Sequence, residues 1–332
     1  MSLATKYRPQ TFQDVVAQES VKLILQKQIE TKSFSNCLIY KGCTGSGKTT
    51  VARIFAKAIN NGLGTPIEVD AASHNSVDDV RLIIEQAQER SLDSEYKVWI
   101  IDECHLLSNA AWNALLKLVE EPPKYTVIIF CTTDPQKIPM TIQNRCQIFN
   151  FGRIPLDLII KRLDYICLQE GIQADANTLD YIAKLSDGSL RQAISYLDKC
   201  KDYSKNLTTN SVIECLGNYS YDTYFDLTNA VIDGNKEQVI KIIEYCYNQG
   251  TDLKLFVANY LKFILQLDKY ILLKTMKGVD IPAYLEDKVK YATGIENNVQ
   301  WFSKYLDKIL DLKCMIKNDS DVKTTIEVTL IA

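Results

Sequence analysis

The chain has 332 residues, too many for one ordinary compact core, and 46% of them are apolar, enough to fill several. Its 38 basic and 41 acidic residues nearly cancel, so net charge alone does not point to a nucleic-acid coat or a membrane-surface protein; any nucleic-acid contact must be local. No apolar run approaches the roughly 20 residues a membrane helix needs. Residues 1–6 lack a signal-peptide core, and ten dispersed cysteines without a C-x-x-C pair point to buried free thiols in a cytosolic protein rather than to disulfides or zinc.

In chain order, Tyr7-Arg8-Pro9-Gln10-Thr11-Phe12 reads as a non-helical lead-in, because Pro9 restricts the residue before it. The segment either lies across a nucleotide base or packs Tyr7 and Phe12 onto the core, and the residues leave both open. A helical pattern begins near Gln18, with Val21, Leu23, Ile24, Leu25 and Ile29 apolar. The apolar run Cys37-Leu38-Ile39-Tyr40 then leads into Gly42-Cys43-Thr44-Gly45-Ser46-Gly47-Lys48-Thr49, which fits the phosphate-loop pattern G-x-x-x-x-G-K-[ST] at every fixed position. Glycines let backbone N–H groups turn toward phosphate oxygens, and the helix that follows directs its positive end at the same place. Residues Gly42, Thr44, Gly45, Ser46, Gly47 and Thr50 are therefore expected to surround phosphate, Lys48 to reach the β/γ-phosphates, and Thr49 to offer its hydroxyl to Mg²⁺.

After a short loop, Asn60 to Pro66, the run Ile67-Glu68-Val69 is expected to be a buried strand, and Ser76 to cap a helix with Asp79 three residues on. Lys97-Val98-Trp99-Ile100-Ile101 ends in Asp102-Glu103, where Asp102 would hold the Mg²⁺ water shell and Glu103 would orient and polarise the attacking water. His105 fits a structural hydrogen bonder better than a base, and His74 a solvated turn residue. Ser108 or Asn109 caps the next helix, which Glu120-Glu121-Pro122-Pro123 ends. Another buried strand, Thr126 to Cys131, places Thr132-Thr133 at a carboxyl end, near a γ-phosphate, and Gln147 to Phe151 alternates as a strand.

Up to about Gly152 the alternation of strands and helices predicts a parallel α/β domain. From Leu156 no strand pattern appears. Leu156 to Glu170 reads as a helix closed by Gly171, Asn177 as the cap of a second, and Ser189 as the cap of a third with Gln192 in capping-box position. A polar stretch, Asp202 to Asn210, precedes a wholly helical remainder with periodic segments near 223–248, 251–275 and 298–317; Val322 to Ala332 is ambiguous between helix and strand. The expected domains are 1–152, 153–205 and 206–332.

These words together resemble the clamp-loader ATPases of the AAA+ class, and most closely the gamma/tau subunits of bacterial DNA polymerase III. The resemblance is carried by residues 6–12, the phosphate loop, Glu68-Val69-Asp70-Ala71-Ala72-Ser73, Ile101 through Ser108, Asn113-Ala114-Leu115-Leu116-Lys117 to Pro123, Thr132 to Lys137, Asn144-Arg145-Cys146 and Gly188 to Ala193. It implies an AAA+ domain with a parallel sheet, a helical lid and an all-α collar. It also implies ATP and Mg²⁺ as cofactors, a ring-like, pentameric assembly with other clamp-loader subunits, a sliding clamp and primer-template DNA as partners, and no membrane. By motif position Tyr7, Arg8 and Pro9 would lie at the nucleotide, Thr133 would be the sensor, Arg191 the lid arginine of its own subunit, and Arg145 the arginine finger for a neighbour's ATP. DNA would meet the turns Ser73 to Ser76 and Ser108 to Asn109, and the clamp the edge Ala87 to Tyr96.

Three departures stand out. Asn60 to Pro66 replaces the family's cysteine-rich zinc module, Asn144 stands where the family usually has Ser, and the sequence has no tau-type extension. Together with a composition suggestive of an AT-rich genome, they fit a short, zinc-less, bacteriophage-encoded version working in the cytoplasm of a bacterial cell. The competing readings are another DNA-acting AAA+ motor (a helicase loader or branch-migration motor), a non-hydrolysing scaffold subunit, and a small-molecule kinase. A winged-helix tail would favour the motor; intact Lys48, Asp102, Glu103 and Arg145 argue against the scaffold, and the lack of an acceptor-binding constellation against the kinase.

Overall fold

The structure, a computed structural model, describes all residues except 217–220, 251, 282–284, 295–297 and 332, and only the backbone of 298–300. By contacts the chain divides into two compact units, Met1–Ile172 with Ile182–Asp198, and Gln173–Tyr181 with Lys199–Ala332.

In the first unit a short helix α1 (Leu3–Lys6) and helix α2 (Glu19–Glu30) precede β1 (Cys37–Gly42), α3 (Lys48–Ile59), β2 (Ile67–Asp70), α4 (Val77–Ala87), β3 (Lys97–Asp102), α5 (Asn109–Glu120), β4 (Thr126–Thr132), α6 (Met140–Gln143), β5 (Gln147–Phe151) and α7 (Leu156–Glu170). The strands form one sheet in the order β2-β3-β4-β1-β5, with every pairing parallel. Parallel neighbours need crossover connections, and the helices supply them on both faces. Strand parity decides the two cores. Leu38, Tyr40, Val98, Ile100, Val127, Ile129 and Cys131 pack with Val51 and Phe55 of α3, whereas Cys37, Ile39, Trp99, Ile101, Ile128 and Phe130 pack with Val80 of α4 and Trp112 and Leu115 of α5. The sheet order reverses beside β1, and the registers Lys41↔Thr132 and Asp70↔Asp102 bring the carboxyl ends of four strands to one edge, where such sheets place their sites.

Two sequence expectations change in this unit. Ile67-Glu68-Val69 is not a buried strand: β2 lies at the sheet edge and its side chains alternate between half-buried and exposed. In α2 only Val21 and Leu25 are buried, while Leu23 and Ile24 face outward. Ser76 caps α4 in a full capping box with Asp79, and Ser108 rather than Asn109 caps α5. Gly171, in the left-handed region at φ 66, ends α7 as its position predicts.

Helices α8 (Ala176–Leu185) and α9 (Leu190–Tyr203) run from one unit into the other. Asp175, not Asn177, caps α8, since its carboxylate accepts from Thr178 N at 2.9 Å; Ser189 caps α9 through Gln192 N. In the second unit two-residue strands β6 (Gln173–Ala174) and β7 (Asn206–Leu207) pair in parallel, a bridge too short to leave a period in the sequence. Then come α10 (Thr209–Leu216), α11 (Tyr221–Ile232), α12 (Lys236–Asn248), α13 (Leu253–Leu273), α14 (Glu286–Thr293), α15 (Asn298–Met315) and α16 (Val322–Ile331). The segment 223–248 is therefore two helices, broken at Gly234 with φ 67, and the ambiguous terminal run is a helix. Of the expected segment ends, Thr251 and Ala332 lie outside the described residues. Tyr224, Phe256, Tyr260, Phe263, Phe302, Tyr305 and Ile326 centre the second core.

Candidate active site

Strand β1 ends at Gly42 and α3 starts at Lys48, so the loop between them delivers the unpaired N–H groups of a 12-residue helix to the sheet edge. Gly45 and Gly47 take φ values of 75° and 101°, which side-chain-bearing residues rarely adopt. At Gly45 an added Cβ would also run into the Ser189 side chain and stand 3.4 Å from Arg191 Cβ. The start of α9 thus closes directly over the phosphate loop. Ser46 is buried and donates to Cys43 O at 2.7 Å. Lys48 is only 6% exposed; its Nζ donates to Gly42 O at 2.9 Å and Cys43 O at 3.0 Å, with no carboxylate partner among the described residues. A buried ammonium held by neutral carbonyls alone keeps its full attraction for an anion.

Thr49 Oγ1 donates to Asp102 Oδ2 at 2.8 Å, and Asp102 Oδ1 accepts from Glu103 N at 3.0 Å. A hydroxyl and a carboxylate this close fit one hard cation that keeps part of its water shell, as Mg²⁺ does. Glu103 lies at φ 45, a strained setting that turns its side chain off the strand end. Its Oε2 accepts from Thr133 Oγ1 at 3.0 Å and stands 3.3 Å from His105 Nδ1, which is also 3.3 Å from Thr132 Oγ1. His105 therefore orients by hydrogen bonding, as its place in the sequence suggests.

A cavity of about 270 Å³ joins these groups: Tyr7, Arg8 and Pro9, then Thr44 through Thr50, Asp102, Glu103 and Arg191 all line it. In the N-terminal segment Phe12 is buried in the core, while Tyr7-Arg8-Pro9 lines the cavity. Tyr7 is fixed edge-on against Tyr165 and donates its hydroxyl to Glu170, and Arg162 donates to Tyr7 O at 3.0 Å. Partial burial, with the Glu170 carboxylate beside it, pushes the Tyr7 phenol up to about 12 and keeps the donor proton in place. Gly42 does not line the cavity; its carbonyl anchors Lys48. Thr133 does not line the cavity; its contact is with Glu103. Arg145 lies outside the cavity of its own chain, half-exposed, with Nη2 2.7 Å from Glu120 Oε1 and Nη1 donating to Thr141 O at 2.7 Å.

Sequence reasoning missed Gln18. Its amide donates to Ser46 O at 3.2 Å and Gly152 O at 2.8 Å and accepts from Gly152 N at 3.2 Å, tying the phosphate loop to the end of β5. Ala17 and Gln18 both sit at φ 61, which no local glycine announces. Val15, Val16, Ile154, Leu190 and Ile194 add the apolar walls, and only their burial marks them. On another surface, Ser108 N donates to Asn75 O at 3.3 Å, so the capped starts of α4 and α5 stand side by side. In the Ala87 to Tyr96 segment Leu92 is 99% exposed. Asn60 ties the short loop Asn60 to Pro66 to the chain before β3, donating to Tyr96 O at 2.9 Å and accepting from Tyr96 N at 2.8 Å. Among the described residues no three His, Cys, Asp or Glu side chains gather as a metal site, and no helix is long and apolar enough to cross a membrane.

The five-stranded parallel sheet, the phosphate loop and the Asp102-Glu103 strand end define an ATPase fold of the AAA+ class. Among solved structures the Thermotoga maritima RuvB Holliday junction branch migration motor superposes with a TM-score of 0.53 at 20% identity, covering 68% of this chain and 79% of that one, a likeness that carries the fold alone. The chain belongs to the gamma/tau family of DNA polymerase III subunits. Family models described as the DNA polymerase III delta subunit, the clamp loader subunit ATPase lid domain, and gamma and tau domain III match residues 63–155, 158–203 and 207–291. The subunit gamma of Buchnera aphidicola subsp. Baizongia pistaciae is 30% identical over 99% of this chain and 95% of its own length. The subunit tau of Bacillus subtilis is 35% identical over 82% of this chain and 52% of its own length, and that of Escherichia coli K12 32% over 85% and 47%. The chain spans about half the length of these tau relatives.

Proposed function

We propose that this chain is an ATP-hydrolysing subunit of a sliding-clamp loader, which opens the polymerase processivity clamp and loads it onto primer-template DNA. The observation that carries the reading is the convergence, in one cavity, of Lys48, Thr49, Asp102, Glu103, the Tyr7-Arg8-Pro9 arm and Arg191, within a chain of the gamma/tau family. In this reading the loop N–H groups and Lys48 bind the phosphates, and Arg191, brought to the loop by the close Ser189–Gly45 approach, closes the site from the lid. Thr49 and Asp102 would hold Mg²⁺, which supplies charge neutralisation on the phosphates when bound. Glu103 accepts the proton side of a water and aims its lone pair at the γ-phosphorus, while Thr133 holds the carboxylate at that angle.

Arg145 completes a neighbour's site. Its position outside its own cavity supports action in trans, as does the Glu120 ion pair that presents the guanidinium at the surface. The ring is taken as pentameric, with DNA inside it near the adjoining starts of α4 and α5 and the clamp against Ala87 to Tyr96. The divisions 1–152, 153–205 and 206–332 serve as ATPase, lid and collar, in line with family-model matches over 158–203 and 207–291, and the protein works in the bacterial cytoplasm. The match to gamma and tau domain III favours this reading over a branch-migration motor. The test is steady-state ATPase with clamp, primed DNA, both or neither: strong stimulation only with both supports it, and an unresponsive rate sinks it.

A further inference from the structure

The second unit contains a cavity of about 340 Å³ between the end of α11, the start of α12, one face of α15 and the end of α16. Its apolar floor is Val239, Tyr305 and Leu330, all buried. Three lysines, Lys236, Lys304 and Lys308, are among the residues that line it, and no acidic residue is. None of the three lysines has an ion-pair partner among the described residues.

The placement of these lysines runs against local electrostatics in two respects. Lys236 is the first residue of the 13-residue helix α12, where the helix dipole favours an acid. Lys304 and Lys308 are four apart on α15, a like-charge spacing that weakens a helix. Asp307 and Asp311 stand three residues after Lys304 and Lys308 on the same helix, yet neither lines the cavity or is ion-paired to a lysine among the described residues. Local rules broken together at one concavity are the mark of a ligand site. Lining the same cavity, Trp301 is half-buried and stacked on Tyr305, with ring centroids 4.6 Å apart and planes at 21°.

We propose that this cavity binds a nucleotide unit, its phosphate on Lys236, Lys304 and Lys308 and its base against the Trp301 indole. Clustered cations beside an aromatic platform are what single nucleotides and single strands both require, and the volume suits a small ligand rather than a folded partner. The chemistry is shared by a free nucleoside triphosphate and by one nucleotide of single-stranded DNA. The site is separate from the phosphate loop and stands whether or not the chain loads clamps.

Trp301 supplies the readout, because the other two tryptophans, Trp99 and Trp112, are 2% and 1% exposed in the first unit. The full chain carrying Lys48→Ala, which silences the phosphate loop, is titrated with dTTP in one arm and with a ten-nucleotide oligo(dT) in the other. The expected result is saturable quenching in at least one arm, absent when Trp301→Phe is added. Adding Lys304→Ala with Lys308→Ala should weaken affinity by about tenfold or more and flatten its salt dependence. Quenching by oligo(dT) alone identifies a strand, and equal quenching by dTTP a free nucleotide. No saturable quenching in either arm overturns the proposal, as does quenching that survives Trp301→Phe or an affinity unmoved by the lysine substitutions.

Discussion

Lys48 and Glu103 line one cavity and are proposed to do different work, so their substitutions should separate binding from turnover. Lys48→Ala removes a buried positive charge from the loop, and equilibrium binding should show ATP affinity falling at least tenfold; equal affinity contradicts the assignment. Glu103→Gln keeps the shape and the Thr133 contact, so binding should persist while kcat falls by about 10² to 10⁴. Arg145→Ala should bind ATP normally in its own chain yet lose about 10³ or more in rate within an assembly. Mixed with Lys48→Ala chains, whose finger is intact, it should regain part of its activity, since some interfaces then carry a complete site. No recovery in proven mixed assemblies would place Arg145 in cis. The Arg145–Glu120 pair and the Gln18 bridge have no sequence signature, because both join residues far apart in the chain through side chains that could equally face solvent.

The elements carrying the phosphate chemistry were legible because each announces itself locally: an apolar run, a glycine loop, a capping serine, a terminating glycine or proline pair. What escaped needed tertiary context. Ile67 and Val69 flank a charged Glu68 in a strand that lies at the sheet edge, and the β6–β7 bridge exists only because two short segments meet. Asn177 has the right chemistry for a cap, but Asp175 stands one residue before the first turn of α8, and the cap position depends on where the backbone turns. At Gly45 both the backbone conformation and the approach of α9 forbid a side chain; Gly45→Ala should weaken nucleotide binding in a chain that still folds, and unchanged affinity would refute the close approach as a functional contact. Ser108→Ala removes the cap of α5 and should lower unfolding free energy by about 1 kcal/mol in a denaturant titration.

Across the whole molecule, acid sensitivity follows from caps rather than from buried pairs. Thr11 hydroxyl and backbone hydrogen bonds hold the Asp14 carboxyl below its ordinary value, and those of Ser76 do the same for Asp79. Their stabilisation is present above the unfolded value of about 3.9 and is lost as pH falls through the lowered folded values. Tm should therefore drop between about pH 5 and pH 3, less steeply for Asp79→Asn; an unchanged slope would show that Asp79 contributes nothing. Purified chain should hold no stoichiometric zinc, since Asn60 to Pro66 closes on Tyr96 without ligands, and elemental analysis finding about one zinc per chain would contradict this. The central claim, that this chain is an ATP-hydrolysing subunit of a clamp loader, is tested most directly by following labelled clamp on primed circular DNA with assembled subunits and ATP. Wild-type chain should leave clamp on DNA and depart, while Glu103→Gln should stay bound to both. Clamp retention that is equal without ATP, or departure of Glu103→Gln at the wild-type rate, would contradict the account.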